Sequence, residues 1–288
     1  MALKTRTVCI ALVTALLCST AALSSTLPPI TDAIDNPTRP GAIVWADLLT
    51  DDPAAAMAFY QAVFGWSVTK TDDPGYMLIS SGNRAIGGIA EHRPRGAAGS
   101  ETQWLVSMAV NDVDVAVRMV EQEGGKVFEG PDTVPDRGRM AIVADPQGAV
   151  LVLLRADGGD PVASTPRAGS WLWAEAWTKN VASTAAFYRT LADYEVKVAR
   201  DESGEDYVVM GRGNRALAGL VEVPWADVQP HWLSYIAVAD IAMTIDLVEA
   251  NGGAVLFGPD PQIDDGRTAI VADPTGGVFA IYDLGSEP

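Results

Sequence analysis

The chain has 288 residues, 48% of them hydrophobic, and a formal net charge of −17. That length accommodates two ordinary domains, each with its own core. The negative charge argues against polyanionic partners, so neither nucleic acid nor an anionic membrane surface is expected.

In chain order, residues 1–24 read as a secretory signal peptide. Lys4 and Arg6 form a basic start, Val8–Cys18 is an apolar run, and small residues follow. Cleavage is expected after Ser24, giving an exported protein, periplasmic or extracellular, with no membrane association once cleaved; an uncleaved anchor is the competing reading. Both cysteines, Cys9 and Cys18, lie in this segment. The mature chain would therefore lack disulfides, thiolate nucleophiles and cysteine-bound metal. Residues 25–40 are expected to be an N-terminal linker.

A strand is predicted over Ala42–Leu49 from its apolar alternation. Asp52-Pro53 then supplies a helix N-cap and a proline at the first helical position, Phe59, Tyr60, Val63 and Phe64 recur at helical spacing, and Gly65 stops the helix. Three short strands follow near Trp66–Lys70, Tyr76–Ser80 and Arg84–Ala90, so the first unit reads β-α-β-β-β. The second unit has the same grammar. Gln103–Val110 is a strand, Asp112 caps a helix that Gly124-Gly125 ends, and two strands flank the turn Asp145-Pro146-Gln147-Gly148.

The whole pattern is then written again. Trp45 recurs as Trp173, Phe59-Tyr60 as Phe187-Tyr188, Trp104-Leu105 as Trp232-Leu233, Gly124-Gly125 as Gly252-Gly253, and Asp145-Pro146 as Asp273-Pro274, each pair 128 positions apart. Repetition at one offset marks a tandem duplication. The expected organisation is four βαβββ modules forming two α+β domains with cupped sheets, residues 41–156 and 170–284, joined by a Gly/Pro/Ser-rich linker at 157–169.

Tandem modules carrying W-x-D-L, D-D-P, A-F-Y-x-x-V-F-G-W, a central G-G and a terminal G-R…D-P-x-G resemble the vicinal oxygen chelate superfamily, which includes glyoxalase I, extradiol dioxygenases and the bleomycin- and fosfomycin-resistance proteins. The resemblance covers Gly41 to Leu284. It implies a metal centre inside each cup, with histidine, glutamine or glutamate ligands on the first and last strand of each module. Here those positions fall on Trp45, Leu105, Val152 and near Gly87 in the first half. In the second half they fall on Trp173, Leu233, Ala280 and near Ala218. None can bind a metal, so no metal and no other cofactor is expected. The two histidines, His92 and His231, stand at non-equivalent positions.

Side chains alternate across a strand. If Trp45 faces the cup, so does Asp47, with Gln103, Leu105 and Ser107 on the neighbouring strand. In the second half Trp173, Glu175, Trp177, His231 and Tyr235 share that face. These seven residues, Trp45, Asp47, Trp173, Glu175, Trp177, His231 and Tyr235, are the candidate ligand-binding set. Glu175, Tyr235 and His231 are the candidate catalytic groups. The structural alternative makes Asp47 and Glu175 buried partners of Arg139 and Arg267 or of backbone amides, and the tryptophans core. Four functions remain: a metal-independent small-molecule-binding protein, a metal-dependent lyase, isomerase or dioxygenase, a metal-free enzyme using Glu175 with Tyr235 or His231, and an interaction protein with vestigial cups. The protein is expected to be a monomer or homodimer. Two pairings of the modules are open. Consecutive pairing joins one with two and three with four. Swapped pairing joins one with four and would set Asp47 beside His231 and Tyr235.

Overall fold

The structure is a computed structural model, and it describes residues 26–91, 102–200, 206–223 and 225–285. The expected signal peptide with Cys9 and Cys18, and also His92, lie outside the described residues. Among the described residues no helix is long and apolar enough to cross a membrane.

The first half runs β1 (Ile43–Thr50), α1 (Pro53–Phe64), β2 (Ser67–Lys70), β3 (Tyr76–Ser81), β4 (Arg84–Glu91), β5 (Gln103–Ala109), α2 (Val113–Gln122), β6 (Lys126–Val134), β7 (Gly138–Ala144) and β8 (Val150–Ala156). The second runs β9 (Trp171–Thr178), α3 (Val181–Ala192), β10 (Glu195–Arg200), β11 (Asp206–Arg212), β12 (Arg215–Glu222), β13 (His231–Val238), α4 (Ile241–Ala250), β14 (Ala254–Phe257), β15 (Thr268–Ala272) and β16 (Val278–Asp283). The helices begin where the capping residues predict. Asp52, Asp112, Asn180 and Asp240 each accept an N–H from the first turn, at 2.8–3.0 Å. Gly65 ends α1 in the left-handed region, at φ 66°.

Each half folds into one eight-stranded sheet. The orders are β2-β3-β4-β1-β5-β8-β7-β6 and β10-β11-β12-β9-β13-β16-β15-β14. The two modules of a half meet at an antiparallel central pair, β1 with β5 and β9 with β13. The sheets therefore realise consecutive pairing of the modules.

The swapped relationship exists too, in the helix layer. One core cluster joins Phe59 and Tyr60 of α1 to Val248 of α4, Phe279 of β16 and Ile236 of β13. A second joins Val117 and Val120 of α2 to Phe187 and Leu191 of α3. The helices thus lie between the two sheets, and both domains share these cores. Two reciprocal hydrogen-bond chains cross the interface. Trp104 Nε1 donates to Tyr60 Oη (2.8 Å), which donates to Asp273 Oδ2 (2.8 Å). Trp232 Nε1 donates to Tyr188 Oη (2.9 Å), which donates to Asp145 Oδ2 (3.2 Å). The other oxygen of each aspartate accepts backbone N–H groups of its own turn. The duplicated Asp-Pro turn therefore closes a hairpin and clasps the opposite domain. Reciprocal contacts of this kind are the signature of a two-fold relation between the halves.

The N-terminal linker at 25–40 packs on the first domain where the structure describes it. Ile30 is 2% exposed and packs with Trp45, Leu105, Val152 and Leu154, on the side of the first sheet away from the helices. Residues 157–169 form neither strand nor helix. They are tied to the N-terminal segment: Asn36 N–H donates to Gly158 O (3.1 Å) and Asn36 Nδ2 to Asp160 O (2.9 Å).

Candidate functional site

The predicted strand parity holds on both concave faces. Trp45 pairs in register with Ser107 and Asp47 with Leu105. Trp173 pairs with Tyr235, Glu175 with Leu233, and Trp177 with His231. The second face therefore brings all five of its candidate residues together. The first brings Trp45 and Asp47 together, and Asp47 is on the other sheet from His231 and Tyr235.

Each acid is held by an aromatic set drawn from its own half. In the first cup, Asp47 Oδ1 accepts from Trp45 Nε1 (2.9 Å) and Tyr76 Oη (2.6 Å). Arg137, 2% exposed, donates from Nη2 to Tyr76 Oη (2.9 Å) and from Nε to Pro28 O (2.8 Å), and its guanidinium lies 4.9 Å from the Trp45 ring centre. In the second cup, Glu175 is 6% exposed. Its Oε1 accepts from Tyr207 Oη (2.6 Å), and its Oε2 accepts from Tyr235 Oη (2.6 Å) and Trp177 Nε1 (3.1 Å). Trp173 Nε1 donates to Tyr207 Oη at 2.8 Å.

Tyr76 and Tyr207, which strand parity on β1, β5, β9 and β13 alone does not reveal, come from β3 and β11. Each crosses a glycine of the intervening strand to reach its acid. A Cβ on Gly88 would sit 2.0 Å from Tyr76 Oη and 2.5 Å from Asp47 Oδ1; one on Gly219 would sit 1.9 Å from Tyr207 Oη. The repeated Gly is therefore required by close approach. Arg139 and Arg267, the expected partners of the acids in the structural alternative, do other work. Arg139 forms a two-bond pair with Asp114 (2.7 Å each), and Arg267 donates to Asp283 O and lies over the Tyr282 ring.

Burial decides the electrostatics. Desolvation pushes the Glu175 carboxyl above its ordinary range, opposed by the hydrogen bonds from Tyr207, Tyr235 and Trp177. Tyr207 and Tyr235 are raised by burial and by the adjacent carboxylate, so both stay protonated donors. Burial lowers His231. His231 Nδ1 lies 2.8 Å from Gln229 O. A carbonyl only accepts, so Nδ1 carries the hydrogen of the neutral ring and Nε2 carries a lone pair.

The rim of the second cup is aromatic. Trp177 stacks on Trp225 (6.0 Å, 23° between planes), Trp225 meets Phe257 (6.2 Å), and His231 lies 5.6 Å from Trp177. Trp225 is 41% exposed. The positions where a metal ligand is expected carry Trp45, Leu105 and Val152 in one cup and Trp173, Leu233 and Ala280 in the other, in apolar clusters. None offers a lone pair to a cation. Among the described residues no group of three or more His, Cys, Asp or Glu stands together to hold a metal ion.

Comparison with known proteins agrees with this architecture. The family model described as Glyoxalase/Bleomycin resistance protein/Dioxygenase superfamily matches residues 42–153 and 172–281. A Mycobacterium tuberculosis protein named "Putative glyoxylase CFP32" is 31% identical over 247 residues, 84% of this chain and 95% of that protein. A Streptomyces sp. protein named "Anthracycline biosynthesis protein DauV" is 32% identical over 264 residues, 85% of this chain and 94% of that protein. Among solved structures, the Mn(II)-bound glyoxalase from Novosphingobium aromaticivorans aligns with a TM-score of 0.60 at 14% identity, covering 85% of this chain and 83% of its own. A substrate complex of homoprotocatechuate 2,3-dioxygenase from Brevibacterium fuscum aligns at 0.59 and 16%, covering 88% and 84%. These structural likenesses concern the fold. By the match across both halves, the chain belongs to the Glyoxalase/Bleomycin resistance protein/Dioxygenase superfamily.

Proposed function

We propose that this protein binds a flat aromatic small molecule on the concave face of its second sheet, without a metal ion. The observation that carries the reading is the rim of rings, Trp177, Trp225, Phe257 and His231, beside the buried Glu175 and Tyr235 and the half-buried Tyr207. Stacking on an exposed indole favours a planar ligand. The donorless ligand positions weigh against metal chemistry in either cup. The Streptomyces relatives are named for anthracycline biosynthesis, and an anthracycline is built on a flat fused-ring core, which suits such a surface.

The test is a titration of the full chain with 1,8-dihydroxyanthraquinone, followed by tryptophan fluorescence. Saturable quenching in the wild type and its loss in Trp225→Ala are the expected results. Elemental analysis of protein purified without chelators should find no stoichiometric Fe, Zn, Ni or Mn. Quenching that survives both Trp225→Ala and His231→Ala would sink the reading. So would about one metal ion per chain that is lost on mutating His231 or Glu175.

One observation favours a second reading, a metal-free enzyme. His231 presents Nε2 as a neutral base on the same face, its tautomer fixed by Gln229 O. In that case His231→Gln abolishes turnover of a ligand that still binds, lowering kcat far more than affinity. Export is a further proposal, supported by the Lys4/Arg6 start and the apolar run to Cys18. Native protein beginning near Ser25 is the expected result of N-terminal sequencing.

A further inference from the structure

A cavity of about 300 Å³ lies between the two domains, walled by the starts of β1 and β9, the β3–β4 and β11–β12 hairpins, and the crossover from Pro161 to Ser170. Four of its lining side chains are arginines, Arg39, Arg84, Arg167 and Arg215, and no carboxylate is among the described residues that line it. The chain as a whole has 37 acidic and 20 basic residues. A cluster of four guanidinium groups runs against that composition.

The duplication writes the four as two pairs. Arg39 stands two residues before Gly41, and Arg167 two residues before Gly169, 128 positions later. Both glycines have positive φ, 85° and 77°, and donate their N–H to Ala109 O and Ala237 O, each at 2.8 Å. Arg84 and Arg215 each follow a Gly-Asn turn, Gly82-Asn83 and Gly213-Asn214. The two-fold relation of the halves turns these equivalent arginines toward one another. Arg167 Nη2 reaches across to the β3–β4 turn, 3.9 Å from where a Cβ on Gly82 would stand.

Among the described residues Asp160 is the acid acting on this cluster, and its Oδ1 is buried without a hydrogen-bond partner. Arg39 donates from Nη2 to Pro161 O, and Arg84 donates from Nη1 to Val162 O at 3.3 Å. A carbonyl satisfies a donor without cancelling its charge. Arg39 Nε is buried with no hydrogen-bond partner. Desolvation lowers the pKa of Arg39, the nearby Arg215 and Arg84 lower it further, and Asp160 is the one acid that opposes them. Asp160 itself accepts the Arg39 backbone N–H.

We infer that this cavity binds a small molecule through an oxyanion, a phosphate or carboxylate group held by Arg39, Arg84, Arg167 and Arg215 across the domain interface. The planar guanidinium fork matches such groups in a two-bond geometry. A bound anion would relieve the mutual repulsion of the four cations. The cavity also touches Trp45 and Trp173, but its four arginines are not part of the aromatic rim, and the inference does not depend on what the cup binds.

The test is calorimetric titration of the full chain with inorganic pyrophosphate and, separately, with citrate. Sodium chloride holds the ionic strength constant so that general screening does not vary. Saturable heat with one molecule per chain is expected from at least one of the two. The anion that binds tells a phosphoryl from a carboxylate ligand. Melting temperature should rise with the concentration of that anion. The double variant Arg84→Gln/Arg215→Gln changes two exposed side chains and should weaken binding by about tenfold or more. Arg118→Gln, on the exposed face of α2, should leave it unchanged. The inference is overturned if neither anion gives saturable heat, or if the double variant binds as the wild type does. A double variant that melts lower in chloride alone while keeping the full anion response would also overturn it, and would assign the arginines to bracing the crossover.

Discussion

In the first cup Asp47 lies under Tyr76 and Trp45, Arg137 covers both rings, and Ile30 fills the apolar floor beside Leu105 and Val152. In the second cup the equivalent acid, Glu175, is met by Tyr207, Tyr235 and Trp177, and the rings at its mouth include the exposed Trp225. Both cups inherited a tryptophan, an acid and a tyrosine that reaches over a glycine. They differ where the duplication has drifted. Ser107 corresponds to Tyr235, Leu49 to Trp177, Arg137 to Asp265, and Ile30 to Gly158. One face is core, covered by the chain's own N-terminal segment. Its twin has aromatic surface at the rim. The same fold therefore presents one filled concave face and one with an exposed ring.

Breaking the seal should have the largest effect. Ile30→Ala removes most of a buried side chain and should lower stability by about 2–5 kcal/mol, measured by urea unfolding. Because the position equivalent to Ile30 in the second half is Gly158, anthraquinone binding there should be unchanged. A variant as stable as the wild type would mean that the segment only rests on the sheet.

The two acids sharpen the comparison next. Glu175→Gln replaces an acceptor oxygen by an NH₂ facing donors, and should cost roughly 1–3 kcal/mol at neutral pH. Its pH dependence has a definite sign. Burial raises the folded-state pKa of Glu175, so the stability tied to its proton is full below the ordinary carboxylate range and is lost as pH rises through the raised value. The advantage of wild type over Glu175→Gln should therefore shrink as pH rises. An advantage that grows instead would mean that the three hydrogen bonds outweigh desolvation and that the carboxylate is the favoured form.

His231 should titrate with the opposite slope and a smaller effect. Burial lowers its pKa. Its contribution is present above the ordinary imidazole value, about 6.5, and is lost as pH falls toward the depressed folded value. His231→Gln should remove that acid-side loss. Unfolding curves of both proteins across this range check it, and parallel curves would place His231 in water.

Much of this is legible in the sequence. The 128-residue offset gave the two domains, the capping residues gave the helix starts, and strand parity put Trp173, Glu175, Trp177, His231 and Tyr235 on one face. Tyr76 and Tyr207 escaped because parity on the central strands says nothing about residues two strands away. Their offset is 131, which a fixed 128 skips. A local realignment on Gly-Asn-Arg-Ala would have found both tyrosines and the paired Arg84 and Arg215. The acids' partners are not legible in the same way. Arginine is a common partner of a buried carboxylate, whereas here phenol and indole groups supply the donors. Module pairing could not be decided from sequence, since sheets and helices realise different pairings. Nothing local in residues 26–40 signals docking: Ile30 and Ile34 are the same residue type four positions apart, yet Ile30 is buried and Ile34 is exposed.

The smallest stability effect should come with a complete loss of binding. Trp225 is 41% exposed and follows the strand β12 rather than standing in the sheet. It stacks on Trp177, which is buried and bonded to Glu175. Removing a half-exposed ring from a loop should change unfolding free energy by no more than about 0.5 kcal/mol. The same change removes the outer surface of the aromatic rim, so Trp225→Ala should no longer respond to 1,8-dihydroxyanthraquinone. Trp225→Phe keeps a ring there and should recover binding in part. Mutating Trp45 cannot serve as the matching experiment in the first cup. That ring is 2% exposed beneath Arg137, so its loss should cost stability and leave anthraquinone binding alone. If Trp225→Ala instead melted far lower with binding intact, the rim would be scaffold and the second cup as closed as the first.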